Sequence, residues 1–312
     1  MIEEIIIFGA ISGGVYALLA LGFTLIYGIS GIVNLAHGSF YMLGAYMFYV
    51  LGPYIGHALQ ILGVPAAEVH GAIWVSVLVL VVAVIFVAVV GSVLYRLTIH
   101  PVLGDEVAVL VVTVFLALIF QQLILLIFGT TFPPVRWPVG SILTISTSVW
   151  GVTLQYSRIL AFAASLVLFS SFFVIITKTK IGKAMRAVSQ DREVAMLMGI
   201  NTERLYMLTM GISAMLAAIA SILITTSTTM SAGAWMWLHP LALSFSIVIL
   251  GGLGSIKGSL IGGFIIGYAE QIVKTTVPDA GQIVGVVPLT VMVLVLLLRP
   301  KGLFGKRIEM EE

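Results

Sequence analysis

Cysteine is absent from this 312-residue sequence. That excludes disulfides, thiolate metal sites and redox thiols. Charge is scarce as well: Asp, Glu, Lys and Arg make up 9% of the chain, against about 25% in soluble domains. So little charge cannot cover a water-facing surface, and most of the surface is therefore expected to face lipid. The chain has no G-x-x-x-x-G-K-[ST] phosphate loop, no G-x-S-x-G elbow and no H-E-x-x-H helix, so the sequence offers no catalytic constellation. The five histidines, His37, His57, His70, His100 and His239, include no short-spaced pair, and no metal site is expected. The first residues, Met1-Ile2-Glu3-Glu4, are acidic where the first region of a signal peptide is basic, so no cleavable signal is expected.

Apolar residues fill that space, at 60% of the chain with a mean hydropathy of +1.18. A helix needs about 20 apolar residues to cross a bilayer. Long runs cover Ile5–Ile29, Gly71–Tyr95, Val107–Phe128, Ile159–Thr177, Leu205–Thr226, Leu260–Thr276 and Ile283–Leu298, and shorter ones Ser39–Gly52 and Leu241–Gly254. The expected fold is all-α, a polytopic transmembrane helix bundle of about nine spans in a single domain over residues 1–312. Arg96, Lys178, Lys180, Lys183, Arg186, Arg192, Arg204, Lys257, Arg299, Lys301, Lys306 and Arg307 fall on one side of it. Arg136, Arg158 and Lys274 fall on the other. The positive-inside rule makes the first set cytoplasmic, with the C-terminus, and counting spans back puts the N-terminus outside.

Three connections break the runs: a short cytoplasmic loop at Arg96–Glu106, a long outer loop at 129–157 and a long cytoplasmic loop at 178–204. In the outer loop, Phe132-Pro133-Pro134 and Arg136-Trp137-Pro138 precede a Ser/Thr/Ile/Val alternation that predicts a small β-hairpin. Glycines at 254, 258 and 262, and again at 263 and 267, recur at helical spacing. Small residues at this interval allow close helix approach, and packing is the expected reason for them. Glu270 and Lys274 stand four apart near an outer helix end and are expected to form an interfacial pair rather than a proton relay.

The cytoplasmic loop is the most informative stretch. It predicts two short helices. Asp191 is placed to cap the second, Glu193 complements its dipole, and Gly199 stands where a left-handed C-terminal cap belongs. Between the caps lie Val194, Ala195, Met196, Leu197 and Met198. Two helical turns are not stable alone in water, and this much apolar surface asks for a partner, either the chain's own bundle or another subunit.

Glu193-Val194-Ala195, three residues and Gly199 resemble the E-A-A-x-x-x-G coupling motif of ABC importer permeases, with Val194 replacing the first alanine. The usual I-x-L-P is absent after Gly199, where Ile200-Asn201-Thr202-Glu203 follow. That departure points to the branched-chain amino acid permeases, whose loop is similar to Gly182-Lys183-Ala184-Met185-Arg186-Ala187 followed by Met198-Gly199-Ile200. Asn34-Leu35-Ala36-His37-Gly38-Ser39, Gly251-Gly252-Leu253-Gly254-Ser255-Ile256-Lys257-Gly258 and Arg299-Pro300-Lys301-Gly302-Leu303-Phe304-Gly305 match further signatures of that family. The chain resembles the LivH-type permeases over essentially its whole length.

The resemblance implies a permease subunit of an ABC importer in the cytoplasmic (inner) membrane of a prokaryote, multi-pass, carrying leucine, isoleucine or valine. It implies a homologous LivM-type permease as heterodimer partner, two cytoplasmic ABC ATPase subunits and an extracytoplasmic substrate-binding protein, with no nucleic acid among its partners. This chain is then not an enzyme and holds no cofactor, because ATP and Mg sit on the partner ATPases. Gly182, Lys183, Arg186, Asp191, Glu193, Ala195 and Gly199 become the residues that couple to the ATPase, in a loop that docks in a groove of that subunit. Arg136 and Trp137 become the binding-protein contact, with bilayer anchoring as the plainer role for Trp137. Importers of urea and short-chain amides have closely similar permeases, so such a substrate is the alternative. An ion-coupled secondary transporter or a membrane enzyme would need ionisable groups within the spans, and these are scarce.

The two 14-residue runs suggest the translocation path. At 1.5 Å per residue each reaches about 21 Å, short of a hydrocarbon core of about 30 Å. Paired short segments at corresponding places in two halves point to a central site, and their offset of five spans predicts an inverted repeat. On this reading Asn34, His37 and Ser39 lie at one broken end and Ser244, Ser246, Gly251 and Gly252 at the other. Asn34 and His37 are expected to satisfy backbone groups freed by the break rather than to bind metal.

Overall fold

In lipid every backbone polar group must be satisfied within the chain, and helices do this segment by segment. The computed structural model describes residues 1–65, 73–129, 145–228, 233–278 and 280–305. Each of the nine apolar runs coincides for most of its length with a helix. These are α1 (Ile2–Ser30), α2 (His37–Ile61), α3 (Ile73–Leu94), α4 (Glu106–Phe128), α5 (Tyr156–Lys178), α8 (Thr202–Thr228), α9 (Leu238–Gly251), α10 (Ile256–Thr276) and α11 (Val287–Leu298). The loop at 178–204 forms the two short helices α6 (Lys180–Gln190) and α7 (Arg192–Leu197). Among the described residues, α1, α3, α4, α5 and α8 are each long and apolar enough to cross a membrane, and α9 with α10 forms a pair bent by 119°.

The alternation in the outer loop is a two-stranded hairpin, β1 (Ser146–Val149) antiparallel to β2 (Val152–Gln155). Its turn residues Trp150 and Gly151 both have positive φ, 51° and 77°, the type I′ geometry that matches the twist of paired strands.

Helix α2 corrects the sequence reading. It runs for 25 residues, past Gly52, where a 14-residue span was expected to stop. Pro53 lies inside it. A proline removes a single helical hydrogen bond, and neighbouring helices tolerate that in lipid. Gly52 and Gly56 stay buried on either side of it. Of the two, α9 alone has the expected 14 residues, so the premise of two matching short helices does not hold and the inverted repeat loses that support.

Packing is organised by glycine. Helix α1 is buried almost without a break from Gly13 to Ile26, and α10 lies along it. A β-carbon on Gly263 would stand 2.6 Å from Ala17 N, and one on Gly267 would stand 2.5 Å from Gly13 N. The recurring glycines therefore serve backbone contact, as small residues do between membrane helices. Helices α3, α4 and α5 instead bury one stripe each, for α3 Val75, Val79, Ala83, Val87 and Gly91, and turn Val77, Val81, Ile85 and Val89 outward.

Candidate functional site

The cytoplasmic loop has the local chemistry its sequence dictates. Asp191 Oδ1 accepts from the backbone amides of Glu193 and Val194 at 2.9 and 3.0 Å, closing the N-terminus of α7. At the other end Gly199, φ 83°, donates to Met196 O at 3.0 Å, and Ile200 N donates to Ala195 O at 3.1 Å. That pair of bonds is a Schellman closure, which needs a left-handed residue at Gly199.

Helix α6 packs on the bundle through Gly182, Met185 and Val188. A β-carbon on Gly182 would collide with the backbone of Ile176, so the α5–α6 corner requires glycine there. Arg186 donates to Ile176 O in the same corner, and Lys183 is exposed. In α7, Ala195 turns inward and is 3% exposed, while Leu197 and Met198 are 86% and 78% exposed. The outward apolar face is therefore Val194, Met196, Leu197 and Met198, and Ala195 is the residue that seats the helix. Glu193 lies exposed on the first turn. Arg192 stacks over the Tyr206 ring of α8 at 5.6 Å, and Tyr206 meets Tyr95 edge-on at 6.4 Å. Tyr95 opens a π-helical turn, Tyr95–Ile99, at the end of α3. Sequence reasoning did not see this aromatic contact, because the three residues are far apart in the chain.

Asn34 and His37 stand at the α1–α2 break and are both buried. Asn34 Oδ1 accepts from Ala36 N at 3.0 Å, and Thr113 Oγ1 of α4 accepts from Leu35 N at 3.3 Å. His37 spans two helices: Nε2 lies 3.1 Å from Leu19 O and Nδ1 lies 3.2 Å from Ser213 Oγ. With Nε2 protonated the imidazole donates to the carbonyl and accepts from the hydroxyl, so both ring nitrogens are used. Ser39 and Ser246 are fully buried, and among the described residues neither hydroxyl has a hydrogen-bond partner. Ser244 Oγ donates to Leu241 O at 3.0 Å.

Two glycine motifs read separately in the sequence meet in space. Gly251 lies against Gly258, and Gly252, φ 97°, lies against Gly305. Leu303 N donates to Leu250 O at 2.9 Å and Phe304 N to Gly251 O at 3.0 Å. The C-terminal segment thus satisfies carbonyls that the end of α9 would leave open. The Gly251–Gly252 pair is packed against backbone at Gly258 and Gly305.

Glu270 pairs with Lys274 at 3.3 Å, as the spacing of four predicts, with the carboxylate side 1% exposed and the lysine 41% exposed. Its Oε2 also accepts from Tyr16 OH at 2.7 Å, and His239 Nε2 lies 3.8 Å from Oε1. Spacing of four puts two residues on one helix face but does not say which face is inside. Among the described residues no three His, Asp or Glu side chains converge where a metal could sit. Arg136 and Trp137 lie outside the described residues.

Residues 5–296 match the family model described as branched-chain amino acid transport system / permease component. The chain is 31% identical over 307 residues to the high-affinity branched-chain amino acid transport system permease protein LivH of Salmonella typhimurium, covering 96% of this chain and 94% of that protein. It is 28% identical over 301 residues to BraD of Pseudomonas aeruginosa, a permease protein of the same kind of system, with 96% and 94% covered. It is 30% identical over 320 residues to a probable branched-chain amino acid transport permease protein LivH of Methanocaldococcus jannaschii, with 97% and 93% covered. A solved structure, PsaBC from Streptococcus pneumoniae in complex with Fab, aligns over 96% of this chain and 97% of its own at 14% identity, with a TM-score of 0.48. With the family model matched across nearly the whole of an apolar helical bundle, the chain is an integral membrane protein that belongs to the permease component family of branched-chain amino acid transport systems.

Proposed function

We propose that this chain is the translocation subunit of an ABC importer for leucine, isoleucine and valine in a prokaryotic inner membrane. In this reading it crosses the membrane nine times, with the N-terminus outside and the basic end in the cytoplasm. A homologous permease completes the pore, two ATPase subunits supply ATP and Mg chemistry, and a binding protein delivers substrate from outside. The observation that carries the reading is α7, a helix capped at both ends and seated by Ala195, with Val194, Met196, Leu197 and Met198 facing away from the bundle. Membrane bundles turn apolar side chains to lipid, but α7 lies among the Lys and Arg residues of the basic loop, where an apolar face needs a protein partner. The Arg192–Tyr206 contact ties that face to α8, so a subunit that moves α7 also moves a spanning helix. The test is uptake of leucine by proteoliposomes holding the full set of subunits, with ATP enclosed on the ATPase side. ATP-dependent uptake supports the reading, and uptake driven by an ion gradient without ATP contradicts it.

A further inference from the structure

Arg158 and Lys274, two of the three cations that the sequence sets apart from the basic side, come together in the wall of one cleft. The cleft opens between α1, α5, α8 and α10 and has a volume of about 330 Å³, within the range of about 300–1,000 Å³ of small-molecule sites. Lys274 is held there by Glu270 Oε2, which also fixes Tyr16 of the same wall. Arg158 is half-buried. Its Nε donates to Ser227 O at 3.2 Å, and its plane lies over the Phe8 ring at 4.7 Å. Among the described residues no carboxylate lies within ion-pair distance of Arg158. A guanidinium has five N–H donors, and among the described residues only Nε has a hydrogen-bond partner. Two cations, Arg158 and the partly exposed Lys274, face one buried carboxylate, which leaves one positive charge without an acidic partner among the described residues. A single carboxylate would balance it. The rest of the wall includes Ile11, Val15 and Ile224, an apolar surface of the kind a branched side chain contacts.

We propose that this cleft binds the carboxylate of an apolar α-amino acid between Arg158 and Lys274, with its side chain against Ile11, Val15 and Ile224. The choice of an amino acid rests on the transport reading above, whereas the demand for a carboxylate rests on the charges alone. The test uses the purified full chain in phosphatidylcholine nanodiscs and a diazirine analogue of leucine, with labelled peptides mapped by mass spectrometry. The expected label falls on the segments around Ile11–Val15 or Ile224. Leucine and 4-methylpentanoate compete it away, and 3-methylbutylamine, which lacks the carboxylate, does not. Arg158→Gln and Lys274→Gln each lower labelling about tenfold, the loss that follows from removing a charge-assisted hydrogen bond. Lys274→Arg, which keeps the charge, retains labelling and shows that the site still folds. Equal competition by the amine, unchanged labelling in both Gln variants, or label confined to other segments would overturn the proposal. So would labelling that disappears when phosphatidylglycerol replaces phosphatidylcholine, which would make the cleft a lipid headgroup site. If the complete importer takes up leucine and the cleft does not label, this site fails and the transport reading stands. If uptake fails while acid-selective labelling persists, the reverse holds.

Discussion

Gly267→Ala should destabilise the protein, although alanine is the better helix former. A β-carbon at this position would lie 2.5 Å from Gly13 N and 2.6 Å from Gly13 Cα, with Gly9 O at 2.9 Å. All three are backbone atoms of α1, so no side chain can swing away. Contact distances between such atoms are about 3.5–4.0 Å, so the two helices must part by about an ångström locally. A gap of that size forfeits about a quarter to a half of each contact along the seam, and overpacking of this kind costs about 1–3 kcal/mol. Replacing glycine by alanine in a helix gains about 1 kcal/mol at most. The clash therefore prevails over most of that range, for a net loss of up to about 2 kcal/mol once the full propensity gain is subtracted. Gly104→Ala is the matched control, because nothing lies within 4 Å of its β-carbon, and a surface change of this type falls within about 0.5 kcal/mol. Reversible unfolding in mixed detergent, followed by far-UV circular dichroism, reads both variants against the parent. If Gly267→Ala unfolds at the parent's midpoint or later while Gly104→Ala is neutral, the backbone-contact account of the α1–α10 seam is wrong.

Further outcomes follow from the same geometry. Gly302→Ala places a β-carbon 2.6 Å from Ile249 O at a φ of 73°, so it should cost about 1–3 kcal/mol and expose the C-terminal segment to protease; unchanged proteolysis would contradict the contact between the two glycine motifs. His37→Leu leaves Leu19 O and the Ser213 hydroxyl without their partner inside the bundle, at a cost of about 1–3 kcal/mol, and a melting temperature equal to the parent's would show that the imidazole is dispensable. Leu197→Asp should leave the fold intact, because the side chain is 86% exposed, yet abolish ATP-driven uptake; retained uptake would remove α7 from the coupling role.

What the sequence made legible was local. Apolar runs announce helices because lipid leaves a backbone few other choices, and every run noted coincides for most of its length with a helix. The alternation before α5 announced the hairpin for the same kind of reason. The ends of α7 were readable because caps are built from residues within a few positions of each other, as the Asp191 and Gly199 bonds are. Contacts between distant segments were not readable. The run read as ending at Gly52 continues as α2 through Pro53 to Ile61, because neighbouring helices tolerate the lost hydrogen bond. Glu270 and Lys274 were seen as a pair, but Tyr16, 254 positions away, and His239 decide that the carboxylate is buried. The C-terminal motif and the Gly251–Gly258 motif were seen as two signatures, and only the fold shows them hydrogen-bonded to each other. Ala195 was placed in the apolar cluster of the loop, yet only helix phase relative to the bundle decides that it points inward while Leu197 points out. Arg158 carried a signal that was available, since it is one of three cations on the sparse side, but its lack of an acidic partner is a fact of the folded chain.

Single-cysteine cross-linking tests the central claim most directly, and the absence of native cysteine makes each introduced thiol unique within this chain. Leu197→Cys and Ala195→Cys are compared in the assembled importer with a short thiol-to-amine reagent. The account predicts that position 197 captures an ATPase subunit in an ATP-sensitive yield and that position 195, buried under α7, captures none. Capture from 195 but not from 197, or from neither while transport proceeds, would contradict the claim that the outward face of α7 is where ATP hydrolysis is coupled to this permease.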